Sequence, residues 1–201
     1  LEVLDLFQGR PGVAALRNIA SVSSLRELAL QRCSLTDESC LELAPLTELT
    51  TLIVSDNGLT DQSFDVFGEF RSLRKLWIGN NLIHGTRFSE LAVCTELAHL
   101  DLLGLAMVEG WSRQLRALPH LSLLNLHGCN ATDEVLRELT STHEFSNLIL
   151  NFTPITDRAI EGLLAETTLR LLHLGSTSIS QAGLEQLSKV MASRGGPVPL
   201  Y

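Results

Sequence analysis

The chain has little of what small enzymes and secreted domains rely on. It holds one tyrosine, two tryptophans and only 5% aromatic residues in all. No apolar run reaches the roughly 18 residues of a membrane-spanning helix, and no basic start leads into the apolar block of a signal peptide. Its four cysteines, Cys33, Cys40, Cys94 and Cys129, have neither CxxC spacing nor clustered histidines, which argues against a zinc site. GxSxG, a glycine-rich phosphate loop, HExxH and an EF-hand loop are all missing. An excess of basic charge is missing too. The 15 Lys and Arg face 23 Asp and Glu for a net charge of −8, which speaks against nucleic acid, a ligand that calls for a basic face. The expectation is a protein that is not an enzyme, with no cofactor or metal and no nucleic-acid or membrane partner.

What is there is a period. Thr-Asp stands at 36–37, 60–61, 132–133 and 156–157, with an apolar residue before each Thr and another four places after it. The spacings are multiples of 24, and a fixed period of that size marks a repeat array. Stepping by 24 from Leu1 divides residues 1–192 into eight repeats that start at 1, 25, 49, 73, 97, 121, 145 and 169. Position 4 is leucine in all eight, from Leu4 to Leu172, and position 6 is always Leu, Ile or Val. Positions 1, 4, 6, 11, 16, 19 and 22 hold hydrophobic residues in 52 of 56 cases, where a composition of 45% hydrophobic would fill about 25 by chance. The register is therefore real.

Each repeat reads as a strand followed by a helix. The alternation of LxxLxL predicts a short strand at positions 4 to 6, with positions 3, 5 and 7 facing away from the core. Positions 16, 19 and 22 then recur at helical spacing, as in Phe64, Phe67 and Phe70. Thr at 12 or Asp at 13 sits where that helix begins, so its oxygen is expected to accept an orphan amide hydrogen bond, with Ser180 doing so in the last repeat. Repeats one, four and five lack Thr-Asp and are expected to have irregular turns there.

The motif LxxLxLxx(N/C/T)xL resembles the leucine-rich repeat family, and the resemblance runs from residue 1 to about 192. The 24-residue length is most similar to the cysteine-containing and bacterial-effector-like subclasses, with similar arrays in F-box receptors and protozoan proteins. The resemblance implies an α/β fold, a right-handed solenoid or horseshoe with a parallel concave sheet and short convex helices. It also implies that position 9 forms a side-chain ladder along the stack. Gly9 and Leu105 cannot serve there and mark weak rungs. All four cysteines fall on ladder or core positions, and free buried thiols suit a reducing, intracellular and cytoplasmic setting. The sequons at Asn130 and Asn151 are read as coincidental, because Thr132 and Thr153 already serve as cap and ladder residues.

Subtracting the core leaves a map of the concave face. Trp77 stands mid-sheet with Ile53 beside it and Leu103 and Leu123 diagonally beyond. Lys75, His99, Asp101, Asn125 and His127 surround that patch, and Gly79 is expected to leave room for an incoming side chain. An apolar centre with a Trp anchor and a polar rim is the anatomy of a protein-binding surface. Positions 2, 3, 5, 7 and 8 carry five basic and five acidic residues, so this face is neutral and the net charge lies elsewhere. The function expected is non-catalytic protein–protein recognition by the concave sheet. The alternatives are the substrate-recognition part of a ubiquitin-ligase complex, or a scaffold that would depend on exposed convex residues such as Trp111. The chain opens in mid-pattern at Leu1, which predicts a longer protein, and residues 193–201 break the period and read as a C-terminal tail or linker.

Overall fold

In a computed structural model, which describes residues 1–194, the strands β1 (Val3–Asp5), β2 (Glu27–Ala29), β3 (Thr51–Ile53), β4 (Lys75–Trp77), β5 (His99–Asp101), β6 (Leu123–Asn125), β7 (Asn147–Ile149) and β8 (Leu171–His173) form one parallel sheet in chain order. The register offset is 24 residues at every pairing, as in Leu52↔Leu76↔Leu100. Between strands lie the helices α1 (Val13–Ala20), α2 (Asp37–Cys40), α3 (Phe64–Phe67), α4 (Trp111–Gln114), α5 (Asp133–Thr140), α6 (Ile160–Ala165) and α7 (Gln181–Ser193), eked out by 3-10 turns. A three-residue strand with one short helix cannot cover its own apolar side, so each repeat is stable only against its neighbours. Leu52, Leu76 and Leu100 are fully buried, as are Val54, Ile78 and Leu102. Of the expected tail, residues 195–201 lie outside the described residues.

The caps form where Thr predicts them. Thr36 accepts from the Ser39 amide at 3.3 Å and forms a reciprocal box with the Ser39 hydroxyl. Thr132 and Ser180 cap α5 and α7 in the same way. Thr60 and Thr156 accept from the amide two residues on, which tightens those repeats into 3-10 turns before the helix. The absence of Thr-Asp does not by itself make a turn irregular. The first repeat builds the regular eight-residue α1 behind Gly12 with no side-chain cap. The fourth holds a 3-10 run, Phe88–Val93, and the fifth enters α4 through left-handed Gly110.

The Asp of Thr-Asp has a second task besides capping. Asp37 accepts both the amide (2.9 Å) and the hydroxyl (2.6 Å) of Thr60 in the next repeat. Asp133 does the same for Thr156, and Asp157 for Ser180. Asp61 instead takes the amides of His84 and Thr86. These bonds tie each cap to the repeat before it. They hold the Asp157 carboxyl below the usual carboxylate range, chiefly through the Ser180 hydroxyl.

A second ladder runs at position 9. The Asn57 and Asn81 amide groups donate to the position-6 carbonyls of their own repeat and the preceding one. Their oxygens accept two amides of the preceding repeat. Cys33 and Cys129 donate through sulfur to Leu6 and Leu102. Leu105 is buried and contributes no polar bond of its own side chain, so the expected weak rung is present. All four cysteines are free and buried, and burial pushes Cys40 up to about 12 and Cys94 and Cys129 up to about 11.

Position 8 is left-handed in every repeat. Gln8, Arg32, Asp56, Asn80, Gly104, Gly128, Phe152 and Ser176 all have φ between 52° and 70°. The chain turns off the strand here, and for an ordinary residue this conformation costs about 1–2 kcal/mol. Gly escapes that cost, and Asn and Asp tolerate it best.

The inter-repeat Asp bond is directly testable. Asp37→Ala should lower unfolding free energy by about 1–3 kcal/mol in urea titrations, the usual cost of stranding partners of a charged acceptor. Glu38→Ala next door should change it by less than about 0.5 kcal/mol. Because the folded pKa of Asp157 is depressed, its contribution is present above the ordinary carboxylate pKa and is lost as pH falls through the lower folded value. Amide exchange in the first turn of α7, measured down from pH 5, should therefore speed up in that acid range.

Candidate protein-binding face

The sheet register brings the expected residues together in rows. Ile53 lies directly beside Trp77, and Trp77 beside Asp101, which neighbours Asn125. One row away Lys75 pairs with His99, and His99 with Leu123. Trp77 is 36% exposed and Lys75 is exposed, while Ile53, His99, Leu103, Leu123 and His127 are half-buried. The patch around Trp77 is thus contiguous and accessible.

Two expectations fail in detail. Gly79 is not an open notch: a side-chain carbon there would stand 2.9 Å from both the Cβ and the carbonyl oxygen of Leu103, and 3.0 Å from Asp101 Oδ1. The next repeat leans over the gap and fills it. Trp111 is not an exposed convex residue. It is 2% exposed and meets Phe88 edge-on at 6.0 Å, filling the core where repeats four and five pack.

Asp101 and Asn125 hold the sheet as well as lining it. Asp101 accepts from Asn125 Nδ2 at 2.6 Å and from the Leu103 amide at 3.1 Å, while Asn125 Oδ1 accepts from the His127 amide. Asp5 closes the first strand in the same manner, accepting from the Phe7 amide. Burial raises the pKa of Asp101, opposed by those donors and by His127. His99 is shifted down by burial and by Lys75, so its ring is neutral at neutral pH. Each Asp101 oxygen thus already accepts one hydrogen bond. Among the described residues no three His, Cys, Asp or Glu side chains gather as a metal site would need.

One residue of this face was missed. Phe152, at position 8 of the seventh repeat, is 60% exposed and meets the His127 ring at a tilt of 52°, with centroids 5.1 Å apart. It is the sole bulky apolar residue in that left-handed row. Tabulating position 8 alongside positions 3, 5 and 7 would have exposed it.

No family profile and no curated protein sequence matches the chain. Among solved structures it is similar to an internalin of Listeria monocytogenes, with 26% identity and a TM-score of 0.65 over 86% of this chain. The chain spans about half of that protein, 48% of its length. The internalin is a leucine-rich-repeat protein, and the fold here is likewise a right-handed leucine-rich-repeat solenoid with its parallel sheet on the concave side. A solenoid of this kind is a typical protein-interaction module and typically non-catalytic. No helix among the described residues is long and apolar enough to cross a membrane.

Phe152 separates backbone cost from packing gain. Phe152→Asn eases the left-handed backbone but gives up the His127 contact, so its thermal midpoint should stay near that of the parent chain, and relief of about 1 kcal/mol should place it roughly 2–4 °C above Phe152→Ala. Phe152→Ala keeps the left-handed penalty and loses the His127 contact, so the midpoint should fall. Differential scanning calorimetry on the two variants decides the point.

Proposed function

We propose that the chain is a non-catalytic protein-recognition module that binds a partner protein on its concave sheet, with Ile53, Lys75, Trp77, His99, Asp101, Leu103, Leu123, Asn125 and His127 as the contact set. The observation that carries this reading is Trp77, exposed between Ile53 and Asp101 on strands that are already ordered. Such a surface loses little side-chain and backbone freedom on binding. Asp101 and Asn125, bonded to each other and to the strand ends, stiffen the patch from beneath while Lys75 and His99 rim it. The eight repeats over 1–192 act as one unit in this reading. Four unpaired, unreactive thiols suit a reducing, cytoplasmic compartment.

The test is affinity capture from source-cell lysate with the chain, its Trp77→Ala variant and a convex control, Leu41→Ala, read by mass spectrometry. Leu41 is 52% exposed on the other side. A set of proteins lost with Trp77→Ala and retained with Leu41→Ala is the expected result. Identical captures from the chain and Trp77→Ala would move attention to the convex side.

A further inference from the structure

Four side chains of the concave side, from Trp77 to Phe152, lie along one diagonal of the sheet. Trp77 lies on β4 at position 5, and Leu103 follows at position 7 of the next repeat, leaning over Gly79. His127 takes position 7 one repeat further on, and its ring rests on Phe152 in the repeat after that. From Trp77 to Phe152 the line crosses three strand spacings and three residue steps, about 17 Å on ordinary sheet geometry. On one side of it the chain is bare at Gly128, which is exposed and where a side-chain carbon would find only Gly104 atoms at 3.8 Å and beyond, while the space over Gly104 is taken by the Asn80 side chain. A partner backbone can therefore come close there.

The charges at the two ends differ. At the Trp77 end, Lys75 is exposed and makes no ion pair among the described residues. Arg74 reaches Glu96 only at 3.8 Å, and Arg26 reaches Glu48 only at 3.7 Å. Arg26, Arg71 and Arg74 line a hollow of about 450 Å³ on the adjoining rim together with two acids, Glu48 and Glu96. The acids along the line are committed: Asp101 to Asn125 and Leu103, and Asp56 to Asn80 and, loosely, to Arg32. On a chain of net charge −8 this corner is where cations outnumber their partners.

Phe152 adds an observation independent of charge. The fold demands a left-handed residue at position 8, and seven repeats answer with polar residues or glycine. The seventh carries a bulky ring there, 60% exposed, in the conformation least suited to it. Stability does not account for that choice, whereas a contact with a partner does.

We infer that the contact face is a diagonal running from Arg74 and Lys75 through Trp77, Leu103 and His127 to Phe152, and that it takes a short acidic segment of a partner protein. The segment's apolar side chains lie along the diagonal and its carboxylates meet Arg74 and Lys75. This rests on the concave reading proposed above. A length of 17 Å is covered by about five extended residues or about eleven helical ones, so one short peptide suffices.

The test selects a phage-displayed library of random 12-residue peptides on the chain and measures the enriched peptides, made synthetically, by isothermal calorimetry. The expected peptides carry two or more apolar residues together with Asp or Glu, and bind more weakly as salt is raised. Their affinity should fall tenfold or more in Trp77→Ala, in Phe152→Asn and in Lys75→Glu. Phe152→Asn is the decisive variant, because its eased backbone offsets the lost His127 contact and leaves the fold close to the parent's stability. Failure to enrich any peptide, or enrichment of basic ones, overturns the inference. Dependence on Trp77 without dependence on Phe152 or Lys75 overturns the acidic diagonal while sparing the concave site, and indifference to all three overturns both.

Discussion

Everything in this molecule depends on one constraint: no repeat can bury its own apolar side. A strand of three residues and a helix of four to thirteen leave the leucines at positions 4 and 6 half-covered until a neighbour arrives. The constant 24-residue offset is what lets Leu52, Leu76 and Leu100 stack without a step. A single inserted residue would put a different side chain into every core slot that follows.

Stacking apolar faces leaves polar backbone at every turn, and two ladders satisfy it. Position 9 serves the turn after the strand through Asn, Cys and Thr, and the Asp of Thr-Asp serves the turn before the helix. Both reach across the repeat boundary, so they add rigidity along the stack where apolar contact alone would permit sliding. Where the pattern lapses, other groups fill in. Ser112 occupies a core slot by bonding to Glu138, and Glu166 occupies another by accepting the Phe145 amide at 2.7 Å. That burial raises the Glu166 pKa.

The fold was legible because the period is free of insertions, which makes every core position a repeated observation. The caps were legible for the same reason. What escaped was whatever depends on the distance between repeats. The Asp37 to Thr60 bond joins residues 23 apart, and no single-repeat pattern reveals it. Gly79 looked like space from its own strand, but Leu103 from the next strand fills it. Trp111 looked exposed because repeat five lacks the usual turn, yet that departure folds the ring inward against Phe88. The residues of the candidate face could be placed in rows from sequence; their burial and bonding, as at Asn125, could not.

A regular stack of this kind presents an already ordered concave face, and the proposed function makes Trp77 the anchor for what binds it. The most direct measurement is hydroxyl-radical footprinting of the chain with and without a captured partner. Oxidation of Trp77, His127 and Phe152 should fall on binding, while convex Leu41 and Val93 stay as reactive as before. Protection of Leu41 and Val93 with Trp77 unchanged would contradict concave binding and place the partner on the helical side.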